Sequence, residues 1–429
     1  MNNKHNLWLV SLLSVAGLGS NAWAFDSKDD AEVVKERQNS EYIPKGLHAG
    51  SFTVMPKLDI DNQYDTNIYK QDKSLNPTDS YVAHFRPGFN VRSGWSQHAL
   101  NFMLDTDITE YANHGDLNNY EDIFTRLDGR LDVLRDSYLN TGFNFNSVHE
   151  DRGSPDQIAG RGPTFYDTKA LDSFYTHKLN RLAVKAGLDT IRYDYQDVST
   201  SQNTVLAMSS RNHWEHAPSV RLSYEIQPEY EAFVKFVYKE ADYDNLVLSN
   251  GNGVAYNRNS TGYNALGGFA FDLTDLITGD MSVGYLQRSY VDSRLPNISG
   301  INGFVNLKWR PTALTTINGK FSHDINETTQ QGVAGVLATG VNLGVEHELM
   351  RNVLLNLGGN FTNNDYQGFV APNLVNRNDK IYGGNVGARY LLNRNLSTGL
   401  SYTYQSRDVN YLLSNYEVNQ VMLNLRGQF

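Results

Sequence analysis

The last nine residues, Val421-Met-Leu-Asn-Leu-Arg-Gly-Gln-Phe429, decide how the rest of the chain is read. Val421, Leu423, Leu425, Gly427 and Phe429 share one side of an extended strand, and Met422, Asn424, Arg426 and Gln428 share the other. Successive side chains of a strand point to opposite faces, so this period of two describes a strand with one apolar face. A soluble sheet could end in this way, and the remaining residues have to choose between it and a sheet closed within a membrane.

Working outward, the same alternation recurs from Phe52 to the end. Phe52, Val54, Leu58 and Ile60 share a face, as do Ala83, Phe85, Phe89 and Val91, and Leu127, Gly129, Leu131 and Val133. Val220, Leu222, Tyr224 and Ile226 repeat it, then Val341, Leu343 and Val345, then Leu400, Tyr402 and Tyr404. About 18 such segments are expected, each of a length that crosses a bilayer at a tilt. Short turns such as Leu134-Arg-Asp-Ser137, Leu179-Asn-Arg181, Gln227-Pro-Glu229 and Leu392-Asn-Arg-Asn395 separate them on one side. Long polar stretches around 65–80, 110–120, 149–170, 196–213, 243–261, 326–338, 363–380 and 405–415 separate them on the other. That asymmetry predicts an all-β fold, a closed antiparallel transmembrane β-barrel with short periplasmic turns and long extracellular loops. Closure satisfies every backbone group without water and leaves no edge. The closing strand is expected to pair with the first near Phe52–Ile60, and the terminal Phe429 reads as the assembly signal met by the barrel assembly machinery.

The other end agrees. Lys4 and His5 precede an apolar run from Leu7 to Leu18, and Ala22-Trp23-Ala24 offers small residues for cleavage. Residues 1–24 therefore read as a signal peptide. Residues 25–48 read as a polar N-terminal periplasmic segment and 49–429 as the barrel. The chain has no cysteine, which removes disulfides and thiolate metal sites, and its net charge of -10 gives no basic footprint for nucleic acid. Outer-membrane lipid is the expected surrounding. No cofactor, metal or catalytic residue is expected: His213-Trp-Glu-His216 puts its histidines on opposite faces of a strand, and no zincin spacing or nucleophile elbow occurs.

The polar faces carry the functional information. Arg86, Arg126, Arg130, Lys185, Arg221 and Arg389 all lie opposite apolar faces, among Asp105, Asp128 and Asp132. A midplane cation facing lipid costs roughly 2–4 kcal/mol, so these residues are expected in a lumen. There they either pair with carboxylates and brace the wall or form a track along a substrate path. Glu150, Asp151, Arg152, Asp156 and Arg161 open a long external loop. That loop is either a turn pinned by its own ion pairs or a constriction folded into the lumen.

Several motifs add a resemblance. Gly46-Leu-His-Ala-Gly-Ser-Phe-Thr-Val-Met-Pro56 with Tyr64-Asp-Thr-Asn-Ile68, then Trp95-Ser-Gln-His-Ala-Leu100, Asn119-Tyr-Glu-Asp122 and Glu150-Asp-Arg-Gly-Ser-Pro-Asp156, resemble the putative beta-barrel porin 2 family. The resemblance spans nearly the whole mature chain and is densest before residue 170. It implies a barrel like the VpsM and EpsL type proteins of exopolysaccharide biosynthesis clusters, taking part in exopolysaccharide export across the outer membrane. Implied partners are the polysaccharide, a periplasmic polysaccharide-export protein and an inner-membrane copolymerase. The alternative is a general or solute-selective diffusion porin.

Overall fold

A computed structural model describes residues 41–154, 156, 162–199, 205–248, 255–273, 276–330, 332–368, 377–410 and 414–429. The signal peptide, the polar segment as far as Ser40, and Arg161 lie outside the described residues.

Eighteen long strands carry the fold. The first nine are β1 Phe52–Asp65, β2 Ser80–Ser93, β3 Ala99–Tyr111, β4 Tyr120–Leu134, β5 Ser137–His149, β6 Phe165–Leu179, β7 Leu182–Tyr195, β8 His213–Gln227 and β9 Tyr230–Tyr243. The second nine are β10 Ser260–Leu273, β11 Ile277–Tyr290, β12 Ile298–Thr312, β13 Thr315–Asn326, β14 Gly335–Met350, β15 Val353–Gln367, β16 Asn378–Leu391, β17 Leu396–Val409 and β18 Tyr416–Gln428. Each pairs antiparallel with its neighbour in sequence, and β1 pairs with β18, so the sheet closes into a barrel.

Closure follows from the alternation. Ile60, Phe85, Leu222, Val283, Leu343 and Leu423 are exposed on the outer wall, while Asp59, Asp61, His84, Asp105 and Asp122 are buried on the inner one. Aromatic residues mark both rims of the outer band: Tyr81 and Trp214 at one end, Tyr224, Tyr230, Trp309 and Tyr390 at the other. A belt of this kind suits hydrocarbon bounded by two interfaces. The connections sort by length as the sequence predicts. Those at 135–136, 180–181, 228–229, 313–314 and 351–352 are tight, and the long ones all lie at the opposite end. The connection 291–297, not foreseen from sequence, joins the long set.

At the seam, Lys57 to Asp65 of β1 pair with Gln428 to Gln420 of β18. The backbone N–H of Phe429 then donates to the Pro56 carbonyl, at 3.1 Å. Below that point β18 has ended, and Leu47–Ala49 folds back antiparallel to cover Phe52 to Val54. The edge of β1 is thus covered by both ends of the described chain in turn, which leaves no row of open backbone groups.

One part of the wall bends sharply. Lys239 of β9 and Asp324 of β13 form an ion pair at 2.9 Å on the inner side. They are four strands apart in the sheet, about 19 Å along the wall at the usual strand spacing. The strands between them must therefore crease inward. Glycine permits it: a Cβ at Gly262, Gly268 or Gly284 would run into a backbone carbonyl of the neighbouring strand. Inside the crease, Phe233, Val237, Leu266 and Leu286 are buried although they sit on the lumen side. At its outer end Tyr256, Tyr290, Leu295, Ile298 and Ala334 pack together.

Candidate functional site: the lumen and its outer mouth

Every cation expected in the lumen has inner-wall parity, but the residues do not form one continuous track. Arg86 on β2 pairs with Asp61 at 2.7 Å and Asp107 at 3.0 Å. On β4, Arg126 pairs with Asp128 at 2.6 Å and lies 3.6 Å from Asp172, and Arg130 pairs with Asp132 at 2.9 Å. Arg221 on β8 holds Glu231 at 2.6 Å and stacks over Phe233. Lys185 on β7 lies over the Phe174 ring. On β16, Arg389 makes no hydrogen bond or ion pair among the described residues, and its charge faces Arg426 as well as Asp59, Glu346 and Asp61.

The segment after β5 makes local turn bonds, with the Gly153 N–H donating to Asp151 and the Ser154 hydroxyl to Glu150, and it also reaches across the barrel. Glu150 accepts two hydrogen bonds from the guanidinium of Arg211, at 2.8 and 3.0 Å, in a buried pair. Asp151 pairs with Lys70 at 2.7 Å. Arg152 donates to the Leu117 carbonyl and to Asn118, and stacks over Tyr69. The Gly153 carbonyl accepts from Arg407 on β17, at 2.8 Å. Asp156 accepts from the Thr328 hydroxyl at 2.6 Å and the Thr329 N–H at 3.1 Å, beyond the end of β13. In sheet order β13 lies eight strands from β5, close to diametrically opposite in an 18-strand ring. Residues 150–154 with Asp156 therefore form a crosspiece at the end of the barrel that carries the long loops.

Charge holds this crosspiece. Burial alone would raise the Asp151 carboxyl, but the Lys70 ammonium and the Gly153 N–H bring it below the usual carboxylate range. Burial would likewise lower Lys70, and Asp151 and Tyr416 raise it instead. Arg211 is held further toward its charged form by Tyr195 and Glu150, against its burial.

Sequence reasoning missed an inward aromatic ladder near this rim. Tyr193, His213 and Tyr243 sit side by side on β7, β8 and β9, with ring centroids 4.6 and 4.4 Å apart. His216, three residues on from His213, stacks instead on Trp214 on the outer face. No group of metal-ligating side chains occurs among the described residues.

A closed antiparallel barrel with an apolar outer belt and a polar interior defines an integral β-barrel of the bacterial outer membrane. Residues 39–429 match the model of the putative beta-barrel porin 2 family, and the chain belongs to that family. Among the solved structures similar to it are three from Pseudomonas aeruginosa. OpdO shares 10% identity over 88% of this chain and 97% of that one, with a TM-score of 0.44. The outer membrane protein opdK shares 11% over 88% and 99%, with a TM-score of 0.43. OccK2 (OpdF) shares 8% over 88% and 97%, with a TM-score of 0.45. No curated protein matches the chain.

Proposed function

We propose that the protein is a solute-selective diffusion porin, a water-filled pore through which small polar molecules cross the outer membrane. The observation that carries this reading is a charged inner wall partly spanned at its outer mouth by the fixed crosspiece of Glu150, Asp151, Gly153 and Asp156. Barrels of this strand number enclose an aqueous channel. A crosspiece tied to Arg211, Lys70, Arg407 and Thr328 subdivides that mouth, which suits small solutes better than a continuous polymer. Membership of a porin family supports the same reading. Exopolysaccharide export, which the motif resemblance implied, is the less favoured alternative, since it requires the crosspiece to leave the mouth. Folded protein in a planar bilayer should give steady ohmic channels, and a strain lacking the gene should secrete polymer normally. A folded barrel that does not conduct, or a strain that loses polymer secretion, would overturn the porin reading.

A further inference from the structure

Much of the inner wall is charged, and its charges are matched close by: Arg86 with Asp61, Lys57 with Asp105, Arg130 with Asp132 and Arg221 with Glu231. Four adjacent strands, β14 to β17, are different. Leu343, Leu357, Val386 and Tyr402 are exposed on their outer face, which fixes the parity. Glu346 and Arg389 bound the stretch toward the short turns, and Arg407 bounds it toward the mouth. Between them each inward position is an asparagine, a glutamine, a serine, a threonine or a glycine. Lys320 of β13, opposite Asn342, is the first charge to one side.

Register seats the asparagines over glycines. Asn356 is the direct cross-strand partner of Gly387, Asn360 of Gly383 and Asn385 of Gly358. In each pair a Cβ on the glycine would run into the asparagine Oδ1, so the amide lies across the neighbouring strand. Gly344 is the direct partner of Gly358, and a Cβ there would meet nothing, which leaves space beside the amides. Asn342, Asn356, Asn360, Asn385, Ser401 and Thr403 make no side-chain hydrogen bond among the described residues. Asn342 and Asn356 are exposed on the inner wall and the other four are half-buried, so their polar atoms are open to the lumen. Asparagines that brace the wall elsewhere are bonded: Asn90 to Asn101, Asn144 to Arg126 and Asn424 to Asp61.

We propose that this amide wall binds a neutral, hydroxyl-rich solute, a mono- or disaccharide, on its way through the pore. An amide carries two N–H donors and a carbonyl acceptor, and Ser and Thr hydroxyls both donate and accept. The wall can therefore meet sugar hydroxyls in either sense without stripping water from a charge. Inward side chains recur about every 5 Å across strands and about every 7 Å along them, so several can reach one sugar at once. Conduction requires the site to bind weakly enough to release. The proposal rests on the porin reading and names the substrate class that pore would favour.

The test uses full-length protein folded into planar bilayers, with maltose as the probe and a polyethylene glycol of similar mass as the inert comparison. In wild type, maltose should reduce the ion current saturably and beyond the effect of the polymer. Asn360→Ala with Asn385→Ala should weaken that block by about tenfold, the effect of two hydrogen bonds at their usual net strength. Asn342→Ala, at an exposed position without a protein partner, should weaken it about threefold and keeps the test open if the double variant fails to fold. Neither variant changes a charge, so the reversal potential should stay where it is. Maltose that acts no differently from the polymer, or block that is the same in the folded variants, would overturn the site while leaving the porin standing. Folded wild-type barrel without any current would overturn the porin reading and the site with it.

Discussion

The ion pair of Asp151 and Lys70 sets how the outer mouth responds to pH. Asp151 titrates below its ordinary value, so its contribution to holding the crosspiece is complete above about pH 4 and is lost as pH falls through the depressed value. Lys70 titrates above its ordinary value, so its contribution is complete below about pH 10 and is lost only above the raised value. Between those limits the pair is constant. Channel current noise from mouth fluctuations should therefore be flat from about pH 5 to 9, rising below about pH 4 and, at the alkaline end, only above about pH 10. Asp151→Asn should bring the acid behaviour to pH 7, because losing a charge-assisted hydrogen bond costs about 2 kcal/mol. Equal noise in the two proteins at pH 7 would show that the pair does not hold the segment. None of this pairing was legible in the sequence. Glu150, Asp151 and Arg152 stood out as a cluster of charges, but their partners Arg211, Lys70 and Leu117 are remote in sequence. Only the folded barrel brings them within reach.

At the scale of strands, the crease between β9 and β13 is the element most sensitive to substitution. Gly284→Val places a side chain against the Ala265 carbonyl, whereas a side chain at Gly267 meets nothing. Gly284→Val should lower the yield of heat-modifiable barrel and its unfolding temperature, and Gly267→Val should change neither. Similar yields for both would mean that the wall relaxes there at no cost. The crease also explains where the sequence was silent. Alternation was plain in β1, β2, β8 and β17, where one face meets lipid and the other water. It was obscure in β10 and β11, where Leu266 and Leu286 lie buried on the lumen side and glycines dilute the outer pattern. The parity of the inward cations could be read strand by strand. The seating of Asn360 over Gly383 and of Asn385 over Gly358 could not, because register between strands is not written in one strand. The final strand was legible, and its end is testable. Removing Phe429 deletes the N–H that meets Pro56 and should reduce assembled barrel in the outer membrane. Unchanged levels of inserted, heat-modifiable protein would show that the residue is dispensable for assembly.

For the whole molecule, the decisive question is whether the crosspiece is a permanent part of the pore or a bar that must withdraw. The chain contains no cysteine, so an introduced pair would be its only thiols. Asp156 and Thr328 meet at 2.6 Å between side-chain oxygens, and their segments approach from opposite walls. A separation of this order is compatible with a disulfide if the Cβ atoms come within about 4.5 Å. Asp156→Cys with Thr328→Cys, oxidised in folded barrel, would fix the segment across the mouth. A diffusion porin conducts around a fixed crosspiece, so oxidised and reduced channels should carry currents within about twofold of each other, a difference of under half a kcal/mol in the limiting barrier. A polymer conduit needs the full width of the mouth, so oxidation should abolish its traffic and reduction should restore it. In cells, the oxidised pair should leave polymer secretion unchanged while uptake of small solutes continues. If oxidation instead closes the channel to small ions and reduction reopens it, the crosspiece is a moving gate, and the fixed-mouth porin described above is wrong.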